Sequence, residues 1–571
     1  MSAIESKRFE RPRRRPRPMI GRFGLRALVL AGFVLMSVPR SANANLIHVT
    51  SDVEFTLECS LREAIANHNA KGSVGFDICE AGSSDDTITF QNGKFVVADS
   101  FIDSPLPPIS GSLRIGRTSD LFATLHGAYF QISSGASLIL SNVNTTFGPL
   151  DFQTKLSPFF VDGGALEIRS GNFTNNSGSP PDQGGIIHNK GGVVTIGGSR
   201  STGNIALHDS HAVSDGGAIY NDGGALTIGS TNPNFNPRYK VSLFNNSAEH
   251  GGAISNEAGV VQIVSSNFSF SGNSAPIAGG AIFSQRGKLA VSRGNGNATD
   301  VAIARNQSST GGGIYDDGSQ MSISGIEIKG NSASNPMFNL LPYGGGLVVF
   351  NDKATITQTY FHDNLAVDLG GAIYNTNGST LKVTASTFAN DVAQDQANNG
   401  LDIGGGIYGD GGSRLVVINT TFLGSPFSPL EGAFTNLGSV AIVNCTAKGA
   451  LFSAPGATLT LRNSILDDVV CASVQDLGLN LQSSGGCTNS IPIKDPALDT
   501  RGLRNNGGPT PTIALLKGSP AIDGIPLAQC KDPDGNPIKT DQRGFKRPAP
   551  THKACDIGAY EFGSVASRSS R

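Results

Sequence analysis

Tryptophan is absent from this chain, charged residues make up only 15% of it, and no long apolar run occurs after the N-terminal segment. Each shortage excludes something. A groove that processes sugars commonly uses broad aromatic platforms, so the missing tryptophan counts against one. A helix needs about 20 apolar residues to cross a bilayer, and nothing beyond the N-terminus supplies them. Helical pattern is scarce as well: Cys59-Ser60-Leu61-Arg62-Glu63-Ala64-Ile65-Ala66-Asn67 is the only strongly helical stretch of the remaining chain. Low charge combined with 73 glycines argues against disorder and against several ordinary globules, and favours one elongated repeat body.

The first 44 residues read as a signal peptide: Arg11 to Arg26 form a basic start, Leu25 to Val38 an apolar run, and Ala42-Asn43-Ala44 a small-x-small cleavage site. The run is too short for a membrane anchor, and export by the general route is expected. This segment holds ten Lys/Arg and two Asp/Glu, so the mature part carries 43 − 10 = 33 basic and 45 − 2 = 43 acidic residues. An acidic chain with no cationic stripe legible along it is not expected to bind nucleic acid.

What the sequence has in abundance is one phrase. Gly216-Gly217-Ala218-Ile219 returns as Gly163-Gly164-Ala165-Leu166, Gly184-Gly185-Ile186-Ile187, Gly251-Gly252-Ala253-Ile254, Gly279-Gly280-Ala281-Ile282, Gly311-Gly312-Gly313-Ile314, Gly344-Gly345-Gly346-Leu347, Gly370-Gly371-Ala372-Ile373 and Gly404-Gly405-Gly406-Ile407, with a decayed copy at Glu431-Gly432-Ala433-Phe434. A second alternating strand follows each marker, as in Val260-Val261-Gln262-Ile263, and a third precedes an Asn-rich turn, as in Phe270-Ser271-Gly272-Asn273. Three short strands per repeat predict a triangular rung, and stacked rungs predict an all-β, single-stranded right-handed parallel β-helix of pectin-lyase-like type. Marker spacings of 21 to 35 residues imply loops of unequal length. Ser60 and Glu63 have the spacing of a reciprocal capping box, so a short amphipathic helix is expected to plug one open end of the coil.

Seven cysteines in an exported chain favour disulfides over metal sites. Several connectivities are open; proximity pairs Cys59 with Cys79, Cys471 with Cys487 and Cys530 with Cys555, and leaves Cys445 as a buried thiol.

Cys59-Ser60-Leu61-Arg62-Glu63-Ala64 resembles the signature of the CSLREA domain of exported bacterial β-helix proteins, and Asp86-Thr87-Ile88-Thr89-Phe90 and Leu106-Pro107-Pro108-Ile109-Ser110-Gly111 are similar to that family's first rungs. Asn505-Asn506-Gly507-Gly508-Pro509-Thr510, Ser519-Pro520-Ala521-Ile522-Asp523-Gly524, Asp541-Gln542-Arg543-Gly544-Phe545 and Cys555-Asp556-Ile557-Gly558-Ala559-Tyr560-Glu561-Phe562 resemble the choice-of-anchor Q domain. Gly-Gly-Ala-Ile combined with Phe-x-x-Asn, as at Phe361 and Asn364, resembles the repeats of chlamydial polymorphic outer-membrane proteins, which are surface adhesins. No series of barrel strands and no sortase motif follows, so neither self-transport through an outer membrane nor covalent anchoring is expected. The resulting division is a signal peptide at 1–44, a CSLREA-like cap at 45–85, β-helix repeats at 86–466, a choice-of-anchor Q-like cap at 467–563 and a tail at 564–571.

Chemistry is harder to find. Asp85-Asp86, Asp316-Asp317 and Asp467-Asp468 are the carboxylate pairs a glycosidase would need, and turn chemistry is the expected role of Asp316 and Asp317. His362, Asp363 and Asp368 could hold calcium, the one cofactor kept open, while His208 and His211 lack a third metal ligand. Asp541 and Arg543 are expected to pair inside the C-terminal domain. Tyr220, Tyr315, Tyr374 and Tyr408 follow the markers at equivalent positions, which predicts either an exposed aromatic binding ladder or packing between rungs. The expected function is that of an exported, non-catalytic, adhesin-like or glycan-binding protein, outside the cell or at its surface, with the periplasm as the other location, and with a polysaccharide or cell-surface component as partner. A polysaccharide lyase or glycoside hydrolase is the alternative.

Overall fold

Strands of two to six residues broken by glycine and asparagine wind into a single-stranded parallel β-helix. The computed structural model describes residues 46–50, 59–74, 79–90, 95–97, 106–116, 123–146, 155–201, 203–232, 239–294, 300–334, 342–394, 404–424, 434–436, 438–449, 451–453 and 459–564. The signal segment and the decayed marker at Glu431-Gly432-Ala433 lie outside the described residues. Three long sheets run along the coil, with 16, 15 and 13 described strands, called here sheets A, B and C. Successive rungs pair in register: Leu226 lies beside Val261 and Val261 beside Leu289 in sheet A.

Alternation sends every second side chain inward. Ile219, Ile254, Ile282 and Ile314 thus form one buried column of sheet C, and Phe361, Phe388 and Phe422 stack inside sheet B with ring centroids 4.9 and 5.1 Å apart. Each such side chain contributes about 1.5–3 kcal/mol on burial, so the same apolar letters must recur at every turn of the coil.

The marker glycines sit at the corner that leads into sheet C. Gly216 has φ +64°, and a Cβ on Gly217 would lie 2.1 Å from the carbonyl oxygen of Gly252 in the next rung. Gly163-Gly164 is a correction to the marker series. It lies at the other glycine corner, between sheets C and A, because Ala165 pairs with Val193 and Val193 with Ala225.

The rung is also not purely triangular. Ser274–Ala278, Gln307–Thr310, Ser332–Ala333, Leu365–Ala366 and Val392–Ala393 form a fourth, five-stranded sheet between sheets B and C. Some of these strands are only two residues long, too short to show any period in sequence.

Both predicted ends carry structure beyond the boundaries drawn for them. Leu46–Val49, inside the N-terminal region, already pairs in parallel with Asp85–Phe90, and strands continue to Leu481–Gln482. The helix is Leu61–Ala70, with Ser60 Oγ accepting from Glu63 N at 3.2 Å and Glu63 Oε2 accepting from Ser60 N at 3.1 Å. Its Leu61, Ala64 and Ile65 join the core of the coil.

The C-terminal region acts in two parts. Gln482 Nε2 donates to the carbonyls of Thr488 and Ile491, and Ile491 enters the coil's core at the last rungs. The chain then runs back along the flank: Gln542 and Ala559 hydrogen-bond to Thr387, Thr421 and Thr446 on the outer face of sheet B.

Candidate functional site

Register places Phe160, His188 and Tyr220 in one outward column of sheet C, continued by Phe283 and Tyr315 and then by Tyr374 and Tyr408. All four predicted tyrosines therefore share a column, but the rings meet one another. Phe283 and Tyr315 stack at 5.5 Å, Tyr374 and Tyr408 at 5.5 Å, and Tyr343 covers Tyr374 at 4.6 Å. Tyr220 and Tyr408 are only 4% and 7% exposed. Burial pushes the Tyr315 and Tyr408 phenols up to about 12, and Tyr220 Oη donates to Glu257 Oε2 at 2.9 Å. A sugar stacks on a free ring face, and Tyr315, Tyr374 and Tyr408 each have a face against a neighbouring ring, while Tyr220 is buried and meets His188 edge-on.

Inside the coil two polar ladders run between rungs. Asn189, Asn221 and Asn256 pass hydrogen bonds along sheet C to Ser284. Asp316 pairs with Ser284 in register and takes the same inward position. It is a strand residue within Ile314–Asp317, not a turn residue, and burial together with Asp352 drives its carboxyl far above the usual range. The second ladder, Asn246, Asn273, Asn306, Asn331 and Asn364, ends on Asp391.

Several of the remaining candidates have structural partners. Asp86 is buried and accepts from His68 Nδ1 at 2.9 Å, while His68 Nε2 meets the carbonyl of Ser110 at 2.6 Å, which fixes the helix to the first rungs. Asp467 pairs with Lys448. His362 pairs with Asp363 at 2.7 Å on sheet B, whereas Asp368 lies at the corner before the sheet C strand Ile373–Thr376, and among the described residues the three do not converge as metal ligands. His208 stacks on Phe244 at 4.6 Å and His211 binds Ser247, each without the other. Arg543 pairs with Asp541 at 2.7 Å and lies between Phe545 and Tyr560. Cys59–Cys79, Cys471–Cys487 and Cys530–Cys555 are disulfides, and Cys445 is free and buried.

One group escaped sequence reading because its members lie far apart in the chain. Asp523, His552 and Asp556 converge closely enough for a metal, with His552 Nδ1 and Asp523 Oδ1 at 3.1 Å. Both oxygens of Asp556 already accept backbone N–H bonds, from Asp523 and Phe562.

Seven consecutive strands of sheet A differ from the acidic character of the chain as a whole. The strands Val260–Ser265, Lys288–Arg293, Gln320–Ser324, Lys353–Thr357, Thr380–Thr384, Arg414–Ile418 and Ser439–Val443 contain no Asp or Glu, but they carry Lys288, Arg293, Lys353, Lys382 and Arg414. Lys288 lies beside Gln320, Lys353 beside Thr380 and Thr380 beside Arg414, which sets Lys288, Lys353 and Arg414 in one exposed column. The expectation that no cationic stripe exists is thereby corrected: residues spaced by more than sixty positions become neighbours two rungs apart. Beside this column Ala290, Ser322 and Thr355 are short, and the face holds a trough of about 560 Å³ lined also by Gln262 and Gln320. Acids at the corner before sheet A are engaged: Glu257 by Arg286 and Tyr220, Asp317 by Gln285 Nε2 at 2.8 Å, and Asp352, beside Lys353, by the backbone N of Met321 at 3.1 Å.

No curated protein and no solved structure matches the chain. A family model does, over one repeat. Residues 267–285, which run from the sheet B strand Asn267–Ser271 through Asn273 and the corner Gly279-Gly280 to Gln285 in sheet C, are similar to the Chlamydia polymorphic membrane protein repeat.

Proposed function

We propose that the chain is an exported, non-catalytic, adhesin-like protein of the cell envelope or extracellular space that binds a glycan or other cell-surface component through an outer sheet face. The carrying observation is the open trough of sheet A, where amide, hydroxyl and cationic groups gather on strands free of carboxylates. Glycoside hydrolysis calls for two carboxylates across the scissile bond. Within the carboxylate pairs singled out in sequence, Asp86 and Asp316 are buried inward and Asp467 is paired with a cation, so each pair has lost at least one member to the structure. Similarity of residues 267–285 to a polymorphic membrane protein repeat supports a surface setting. Among the described residues no helix is long and apolar enough to cross a membrane. In this reading residues 45–85 and 467–563 are the CSLREA-like and choice-of-anchor Q-like ends of the body.

The test incubates the purified chain with acidic and neutral polysaccharides, with and without calcium. Retention on a polymer or cell surface, without unsaturated products or new reducing ends, is the expected result. Cleavage that disappears on changing a single carboxylate would replace this reading with a lyase or hydrolase.

A further inference from the structure

Resting on the binding reading above, we propose that the ligand is a linear anionic polysaccharide, lying along the coil axis over the cationic column of sheet A. The rungs stack at about 4.7–4.9 Å, so Lys288, Lys353 and Arg414, each two strands from the next, repeat at about 9–10 Å, a spacing on the scale of a disaccharide. The intervening positions are Gln320 and Thr380, which offer hydrogen bonds to sugar hydroxyls without altering the charge. Parallel stacking makes the column straight, and the low residues Ala290 and Ser322 leave room for a chain beside it. Lys382 stands in the adjacent column, near Asp532 of the C-terminal segment, which covers that column at Val416 in the next rung while Arg414 stays exposed beside it.

Charge complementarity selects the occupant. The mature chain is acidic as a whole, so a polyanion is repelled by most of the surface and attracted where the seven strands lack Asp and Glu. A row of single cations along a flat sheet, with hydroxyls and amides between them, suits evenly spaced carboxylates or sulfates. It offers no outward aromatic for stacking exposed bases, the usual device for binding single strands of nucleic acid.

The experiment measures binding of the full purified chain to polygalacturonate, heparin, neutral dextran, a single-stranded DNA oligomer and phosphatidylglycerol vesicles at equal ionic strength. The variant K288Q/K353Q/R414Q is compared with K494Q/K517Q/K539Q, which removes the same charge from exposed positions elsewhere. K288R/K353R/R414K keeps the charge. We expect polygalacturonate or heparin to bind in a salt-sensitive manner, the column variant to weaken this about 10- to 100-fold, and both other variants to bind as the parent does. Thermal unfolding matched to the parent excludes a folding defect, and a column variant that unfolds early is replaced by the single changes K288Q and K353Q, each expected to weaken binding by severalfold. Equal loss in the two glutamine triples, or tighter binding of DNA or vesicles than of either polysaccharide, would overturn the assignment. Retention on dextran or on cells, with no binding to either anionic polymer, would overturn it while leaving the adhesin-like reading in place. Retention on nothing at all would remove both.

Discussion

Asp391 ends a row of buried asparagine side chains, and it is the one member that can carry charge. Asn364 donates to its Oδ1 from both Nδ2 and the backbone N, at 2.8 and 3.0 Å, while Oδ2 has no partner. Burial lifts its pKa to about 8, whereas in the unfolded chain it ionises near 4. Folding therefore retains a proton between those values, and Asp391 makes the protein progressively less stable as pH rises from about 4 to 8. Asn at this position would keep the acceptor and never ionise. Asp391→Asn should gain on the order of 1–3 kcal/mol above pH 8 and almost nothing near pH 4, read as denaturation midpoints at the two pH values; an equal gain at both would mean the carboxyl is not the cause. Further up the row, Asn306→Ala leaves both the side-chain and backbone N–H groups of Asn273 without their acceptor. A loss of about 1–3 kcal/mol is expected by chemical denaturation.

Glycine at a rung corner acts on the neighbouring element as well as on its own bend. Gly217 abuts the carbonyl of Gly252 at the marker corner, while Gly223, at the corner before sheet A, has φ +64° but nothing near its absent Cβ. Gly217→Ala should therefore push two rungs apart and cost more than Gly223→Ala, which carries only the backbone term of about 1–2 kcal/mol. Comparable melting temperatures for the two would contradict that ordering. The same corners explain what sequence reading could and could not reach. A glycine pair followed by an alternating strand was legible because steric crowding recurs at each turn. Gly163-Gly164 reads in sequence as belonging to the marker corner because both corners use the same letters. The fourth sheet stayed hidden because Leu365–Ala366 is too short to show alternation. Asp316 reads as a turn residue in sequence because it closely follows a glycine marker, although the strand Ile314–Asp317 has not yet ended. Lys288, Lys353 and Arg414 were invisible as a column because their alignment depends on the lengths of the intervening loops.

A coil of this kind is close to one-dimensional, since each rung touches mainly the next, and local damage should spread along it no further than the packing allows. The C-terminal segment breaks that rule, because it bridges several rungs at once. Gln542 Nε2 donates to Thr387 Oγ1 at 2.7 Å and to Thr510 Oγ1 at 3.0 Å, while its Oε1 accepts from Thr421 Oγ1 at 2.6 Å. Ala559 N reaches Thr446 Oγ1 at 3.0 Å, and Ile513, Leu515 and Ile525 share a cluster with Val416, Ile418 and Val443 of sheet A. The segment thus acts as a splint along the last third of the coil, while the helix Leu61–Ala70 holds the first rungs through His68 and Asp86. Gln542→Ala would leave three buried hydroxyls short of a partner, a loss of about 2–3 kcal/mol. Amide hydrogen exchange should locate this loss: faster exchange in strands such as Thr387–Ala389, Thr421–Leu423 and Thr446–Lys448, and unchanged protection in Ala165–Ile168 and Val193–Ile196. A uniform loss of protection along the coil would mean that it unfolds as one unit and that the splint stabilises the whole body.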